Sequence, residues 1–414
     1  MNVEIINTGS ELMLGRVLNT HHQWLSRRLA DLGHMVTRQV AVADTGRDIQ
    51  EAVRESLGRA DLIITTGGLG PTSDDITREL IAELLGRKLV QNRDVLAHID
   101  QFFAKRNRAR PAMTNVETMV PEGALVFLNP TGTAPGLAVE TGQKPGHKQW
   151  LVMLPGPPRE LRPMFDELVI PLLKQTFAAE LFVCRTLRTT GIGESRVQEM
   201  IEAGLQPLVV RGLGIGYCAR PGAVDVRLTA SGTVAPQLVR EGEAVVQSIM
   251  GPNIYGFDDD EMESVVVRQL MEKKKTVALA ESCTGGHIAN RITNIPGASV
   301  VLLGGVVSYA NAAKENLLGV RAETLRQHGA VSEPVAREMV LGVRERFGSD
   351  YALAVTGIAG PGGGTPEKPV GTVFIALAWS GGVEVECLLN PWDRVTFKDV
   401  TATQALERLR RRLA

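Results

Sequence analysis

The chain has 414 residues, with 45 Lys and Arg against 46 Asp and Glu and a formal net charge of -1. That length exceeds one ordinary core and implies two or three domains. The balanced charge gives no electrostatic footprint for nucleic acid and no acidic tail, so any anionic ligand must be met by a local pocket. The four cysteines, Cys184, Cys218, Cys283 and Cys387, contain no C-x-x-C pair, which argues against a zinc site or a disulfide framework.

The chain opens on an apolar, strand-like run, VEIINTG, without the basic and hydrophobic regions of a secretory signal. Its longest apolar run, SVVLLGGVVSYA, is far short of a bilayer span. The expectation is a cytoplasmic protein with no membrane partner. VEIINTG and ADLIITTGG read as buried strands, and HHQWLSRRLADLG places Trp24, Leu25, Leu29 and Leu32 at helical spacing before Gly33. This alternation over residues 1–175 predicts an α/β domain whose sheet is mainly parallel, with helices on both faces.

Within it, DLIITTGGLGPTSDDITREL is a strand, a glycine-rich turn and a helix, with Thr72 and Asp75 spaced as a capping box. Gly67, Gly68 and Gly70 suit a backbone that turns its N–H groups toward a phosphate beside a helix N-terminus. The alternative is a tight turn in which Asp74 and Asp75 are only caps. Two more loops, NPTGTAPG and LPGPPRE, also follow apolar strands, and three such loops at the ends of one sheet suggest one crevice.

Residues 176–257 differ in texture. FVCRTLRTTGIG, LGIGYCARPG and AVDVRLTASG read as strands, while VQEMIEAGL and APQLVREGEAVVQSIM read as helices. A small α+β connector domain without a chemical motif is the expectation. After the turn-like GPNIYGFDDDE, α/β alternation resumes over 258–414: a helix at 261–273, strand TVALAES, a helix at 285–293, strand VVLLGGVVSY, a helix at 332–347, strands YALAVTG and VGTVFIALA, and a basic final helix.

TVALAESCTGG delivers Ser282 to the end of a strand, with Thr284, Gly285 and Gly286 expected to begin a helix whose free N–H groups suit an oxyanion or phosphate. Taken alone, Ser282 is equally a helix cap. Tyr309 and Lys314 follow a second strand, and Thr356 ends a third before a glycine-rich loop, so these positions converge in an open sheet. A buried lysine of lowered pKa can replace histidine as a base, whereas an isolated lysine is ordinarily solvated. Cys283 is the rival nucleophile; it lacks a paired cation and is expected to face the core, and His287 is expected on the helix surface.

Two sets of motifs carry a resemblance. IINTGSELMLG, VAVADT, TTGGLGPTSDDITRE, GTAPG and LPGPPRE, in that order, resemble the N-terminal domain of the CinA (competence/damage-inducible protein A) family, itself similar to molybdopterin-binding domains. ESCTGG, SYANAAK, VTGIAGPGGG and VGTVFIA resemble that family's C-terminal domain, which is similar to the nicotinamide-mononucleotide amidohydrolase PncC. The chain departs from the family at Ser10, at His21, at NVETMVP where a basic-Gln-Ala segment is expected, and at Trp392 where a glycine precedes Asp-Arg.

For the first domain the resemblance implies hydrolysis of ADP-ribose to AMP and ribose 5-phosphate, dependent on a divalent metal (Mg, Mn or Co) and possibly aided by K. The implied ADP-ribose contacts are Gly67, Gly68, Gly70, Thr72, Asp74, Gly132, Gly156 and Glu160, of which the glycines at 67, 68, 70 and 156 and Thr72 meet the diphosphate, with Asp44 and Asp75 as metal ligands. For the last domain it implies hydrolysis of nicotinamide mononucleotide without a cofactor, with Ser282 as nucleophile, Lys314 as base, Tyr309 orienting and Thr356 steadying the oxyanion. Thr284, Gly285, Gly286, Gly360, Gly362, Gly363 and Arg394 are the implied substrate contacts, and a homodimer is the implied assembly. Two alternatives stay open: a nucleotide-sensing scaffold linked to competence or DNA damage, and a first domain that binds a pterin.

Overall fold

The computed structural model describes residues 1–142, 148–178 and 180–414. They form two compact units, one of Met1–Val183 with Ser231–Ala235, the other of Cys184–Ala230 with Pro236–Ala414.

In the first unit the strands in chain order are β1 (Val3–Thr8), β2 (Val36–Val42), β3 (Leu62–Thr66), the short β4 (Leu89–Gln91) and β5 (Met119–Pro121), β6 (Leu125–Phe127), β7 (Gly136–Glu140) and β8 (Trp150–Leu154). The main sheet has the order β2-β1-β3-β8-β7-β6, and β4 pairs with β5 apart from it. β2, β1, β3 and β8 are parallel, whereas β7 and β6 run antiparallel at one edge. Alternate side chains feed two cores, as the pleat requires. Val3, Ile5, Leu62 and Ile64 pack with Leu25 and Leu29 on one face, and Ile6, Ile63, Leu151 and Met153 pack with Ile49, Ile81 and Ile99 on the other. Burial on both faces explains why these strands read as continuous apolar runs rather than as alternation. The register pairs Asn7 with Thr66, and Thr66 with Leu154, so the loops after β1, β3 and β8 leave one edge of the sheet.

The second unit begins with β9 (Phe182–Thr190), β10 (Gly214–Arg220), β11 (Ala223–Ser231) and β12 (Ile254–Phe257), ordered β10-β11-β9-β12, with helices Glu194–Val210 and Ala235–Met250. It is the expected small α+β layer. Residues 184–230 and 236–257 share a compact unit with the C-terminal half, to which Arg410 Nη2 is tied by donating to Pro252 O at 2.6 Å.

The C-terminal sheet comprises β13 (Val277–Glu281), β14 (Leu302–Val307), β15 (Tyr351–Gly357), β16 (Thr372–Trp379) and β17 (Gly382–Leu389), ordered β14-β13-β15-β16-β17. The first three strands are parallel, and β16 and β17 are antiparallel additions. One face presents Val277, Leu279, Leu353 and Val355 to the helices Met262–Lys273 and Arg394–Leu413. The other presents mainly alanines from β13, β15 and β16 (Ala278, Ala280, Ala352, Ala354, Ala376 and Ala378), with Phe374 partly buried beside them, to Val335, Met339, Val340 and Val343 of the helix Glu333–Phe347. Those small side chains leave the helix room to lie close to the sheet. β17 is an edge strand whose side chains are mostly exposed, so its sequence, GVEVECLL, lacks the apolar run that marks its neighbours.

Candidate functional site

The ends of three parallel strands are held together beyond the sheet. Ser282 N donates to Val355 O at 3.1 Å, and Ser308 N donates to Glu281 O at 2.8 Å. Ser282, Ser308 and Thr356 therefore stand side by side in the backbone, which is what strand-end convergence predicted. Lys314 reaches this point from the helix Asn311–Leu318. Its Nζ donates to Ser282 Oγ at 3.1 Å and to Ser308 O at 2.6 Å. Ser282 is 9% exposed and Lys314 1% exposed, and no carboxylate among the described residues pairs with the ammonium. Burial pushes the Lys314 pKa below its ordinary value, slightly opposed by the nearby Cys283 thiol. A serine hydroxyl in contact with such an amine is a nucleophile beside its base.

Cys283 lies in the core with Leu279, Ile288 and Val355. Burial pushes its thiol up to about 12, so it carries no thiolate at neutral pH. His287 is tethered rather than free on its helix, with Nε2 2.6 Å from Asp399 Oδ1.

The turn after Ser282 differs from expectation. The helix begins at His287, not at Thr284, and Gly285 and Gly286 form a left-handed turn with φ of 63° and 92°, a conformation that costs a residue with a Cβ. The helix N-terminus is already satisfied by Glu281, a residue the sequence reading missed. Its Oε2 accepts from Gly286 N at 3.1 Å and Ile288 N at 3.0 Å, and its Oε1 from Ala289 N at 2.8 Å. Gly285 N donates to Ser282 O at 3.1 Å. The N–H groups of Gly285 and Gly286 are therefore engaged internally, so of the backbone donors expected near Thr284 and Gly285 that of Gly285 is not free for an oxyanion. The Thr356 hydroxyl is likewise committed, its Oγ1 donating to Ala330 O at 2.8 Å. Two hydroxyls beside the pair, Thr284 Oγ1 and Ser308 Oγ, are buried without a hydrogen-bond partner.

Arg394, at the start of the last helix, donates from Nη2 to Tyr309 Oη at 2.5 Å and from Nη1 to Gly360 O at 2.9 Å. It joins Tyr309, which is 62% exposed, to the glycine-rich loop after β15. In that loop Gly360 and Gly363 have φ of 73° and 90°, and Gly362 has open space where a Cβ would stand. Trp392, 47% exposed, does not prevent Arg394 from reaching this loop.

In the first unit, the loops after β1, β3 and β8 surround a cavity of about 370 Å³ lined by Gly67, Gly68, Gly70, Asp74, Gly156 and Glu160 together with Asp44 and Asp75. Thr72 and Gly132 do not line it. Thr72 Oγ1 donates to Asp74 Oδ1 at 2.5 Å and to Asp75 Oδ2 at 2.6 Å, and Gly132 N donates to Asn129 Oδ1 at 2.9 Å. The helix starts at Thr77 with no side-chain cap. The Thr72–Asp75 pair thus closes a turn two residues ahead of the helix, a correction to the capping-box reading. Glycine is needed at Gly68, where a Cβ would lie 2.0 Å from Thr77 Oγ1. Glu11, Glu117 and Thr133 also line the cavity; they fall within IINTGSELMLG, NVETMVP and NPTGTAPG, but nothing in those segments marked them as site residues.

Among the described residues no group of three or more His, Cys, Asp or Glu side chains converges as a metal cage. Asp44 Oδ2 accepts from Ser10 N at 2.8 Å and Asp75 Oδ2 from Thr72 N at 3.0 Å, which holds both carboxylates at the cavity. Two oxygen donors fit a hard cation that arrives with a diphosphate, since magnesium takes one or two carboxylates and completes its shell with phosphate and water.

A larger cavity of about 1010 Å³ in the second unit lies away from Ser282, lined by Gly191, Arg408, Arg411 and Arg412 among others. Those three arginines are paired with Glu386, Glu407 and Glu384.

Comparison with known proteins covers the whole chain. Residues 4–175 match the family model for a probable molybdopterin binding domain, 184–256 that for the damage-inducible protein CinA KH domain, and 259–413 that for the CinA C-terminal domain. A CinA-like protein of Akkermansia muciniphila is 44% identical over 407 residues, covering 98% of this chain and 96% of its own. A putative competence-damage inducible protein of Thermoanaerobacter pseudethanolicus is 43% identical over 420 residues, covering 100% of this chain and 98% of its own. The solved structure of competence/damage inducible protein CihA from Agrobacterium tumefaciens is 40% identical, covers 36% of this chain and 94% of its own, and superposes with a TM-score of 0.35. The chain belongs to the family of CinA-like, competence-damage inducible proteins.

Proposed function

We propose that the C-terminal site hydrolyses the carboxamide of nicotinamide mononucleotide, releasing nicotinic acid mononucleotide and ammonia. The observation that carries this reading is the 3.1 Å contact between Lys314 Nζ and Ser282 Oγ, made by a lysine that is buried and has no carboxylate partner among the described residues. Neutral Lys314 takes the Ser282 proton as Oγ bonds to the carboxamide carbon. The C–N bond then breaks, and the same proton leaves with ammonia. Water adds to the resulting ester, giving its proton to Lys314 and then back to Ser282 as the acid departs. The unpartnered hydroxyl of Thr284 is the donor nearest in sequence for the oxyanion, in place of the engaged glycine N–H groups and of Thr356. Arg394, held by Tyr309 and Gly360, is a cation for the nucleotide phosphate. Purified protein should release ammonia and nicotinic acid mononucleotide in equal amounts; no release by folded wild type sinks the reading.

For the N-terminal cavity we propose hydrolysis of ADP-ribose to AMP and ribose 5-phosphate. The support is a cavity that gathers the glycine turn at 67–70, the Gly156 loop and the carboxylates Asp44 and Asp75. A divalent metal, once bound, would neutralise diphosphate charge there; Asp44 and Asp75 would hold it, while the turn fixes the phosphates. Chelation with EDTA should abolish AMP formation and Mg²⁺, Mn²⁺ or Co²⁺ restore it. Absence of AMP with every metal would leave binding without cleavage.

A further inference from the structure

The N-terminal cavity holds a group that the reading above leaves without a task. Glu117 belongs to the short turn of helix Ala112–Thr118, is fully buried and lines the cavity. Its Oε1 accepts from Thr133 Oγ1 at 3.0 Å, whereas Oε2 is buried with no hydrogen-bond partner. A carboxylate oxygen withdrawn from water and left unpaired is tolerated only if it is protonated or is completed by a ligand. The charged groups around it are Arg78, Asp75 and Glu160. Arg78 is committed elsewhere, donating to Glu79 Oε1 at 2.6 Å and Leu69 O at 3.2 Å. Asp75 and Glu160 are like charges, and neither shares a hydrogen bond with Glu117. Burial first, then these two carboxylates, push the Glu117 pKa up to about 7, against the pull of Thr133 and Arg78.

The lining has a second peculiarity. Among the described residues it contains Glu11, Asp44, Asp74, Asp75 and Glu160 but no lysine or arginine. An anion entering it meets like charge and depends on donors that carry none.

The geometry points to Glu117 as a carboxylic-acid donor: its Oε2–H donates to a phosphoryl oxygen of a diphosphate ester, so the cavity takes up its ligand together with a proton. The inference rests on reading this cavity as a diphosphate site, and its test separates the two. ADP-ribose is suited to the test because both its phosphates are esterified and none of its groups titrates near neutrality.

The full chain is titrated calorimetrically with ADP-ribose between about pH 6 and 9, in EDTA so that no turnover consumes the ligand, in two buffers of different ionisation enthalpy. The expected result is uptake of about one proton near pH 8 and an affinity that falls up to tenfold per pH unit above about 7. Glu117→Gln, which keeps a donor, should bind at neutral pH without the proton uptake or the slope. Binding with no uptake and flat affinity in the wild type overturns the Glu117 assignment and leaves the diphosphate reading standing. A slope that survives in Glu117→Gln places the proton on another group, such as His21, and also overturns it. No wild-type binding in EDTA overturns the Glu117 assignment, and no AMP formation with any metal then overturns the diphosphate reading as well. If the variant fails to fold, a wild-type proton count of zero still overturns the assignment.

Discussion

At the residue scale the proposed reaction depends on one proton leaving Ser282 for Lys314. Burial lowers the Lys314 pKa, so the neutral amine is the active form and ammonia release should rise with pH through that lowered value rather than near the ordinary lysine range. Lys314→Arg keeps the charge but holds its proton at any working pH; it should cut kcat by roughly 10³-fold, and near-wild-type turnover would show that the amine is not the base. Thr356→Val tests whether Thr356 serves the oxyanion. Its hydroxyl bonds Ala330 O, so the change should cost about 1 kcal/mol of stability and leave kcat within a few-fold, measured by thermal unfolding beside the ammonia assay. The Ser282–Lys314 pairing was legible in the sequence because strand ends converge and because the motifs resemble a family. The direction of the Thr356 hydroxyl was not: a threonine at a strand end faces either of two neighbours, and packing decides which.

At the element scale the turn between β13 and the helix His287–Thr293 is built by Glu281. Its carboxylate satisfies three N–H groups at the helix start, which fixes the path of Gly285 and Gly286 and so the position of Thr284. Glu281→Ala should destabilise the chain by about 2 kcal/mol through the loss of charge-assisted bonds and the exposure of orphan donors. It should also lower ammonia release, whereas Glu281→Gln should recover part of both; unchanged stability would contradict the cap. A cap that reaches forward from inside a strand has no sequence signature, because cap patterns are read at the residue just before the helix. The same limit explains Thr72 and Asp75, whose spacing fits a capping box although the structure uses them to close a turn. β13 and β15 were plain in the sequence because their apolar runs are buried on both faces. β17 was not, because an exposed edge strand alternates charge with small apolar residues.

At the scale of the whole molecule, two compact units each carry one candidate site built within that unit. Sites that share no residue are expected to be independent. EDTA should therefore stop AMP formation while ammonia release continues, and Ser282→Ala should do the reverse; joint loss in either experiment would reveal coupling. The proposed homodimer is checked by the mass in solution. The α/β character of both ends and the α+β connector were readable from alternation and length, whereas the cavity's Glu117 came only from the fold, since neighbours 16 residues away such as Thr133 meet through the sheet. The most direct test of the central claim is ammonia release from nicotinamide mononucleotide by wild type, Ser282→Ala and Cys283→Ala side by side. The serine–lysine account predicts loss of activity in Ser282→Ala and retention in Cys283→Ala; activity that survives without Ser282 and vanishes without Cys283 would contradict it.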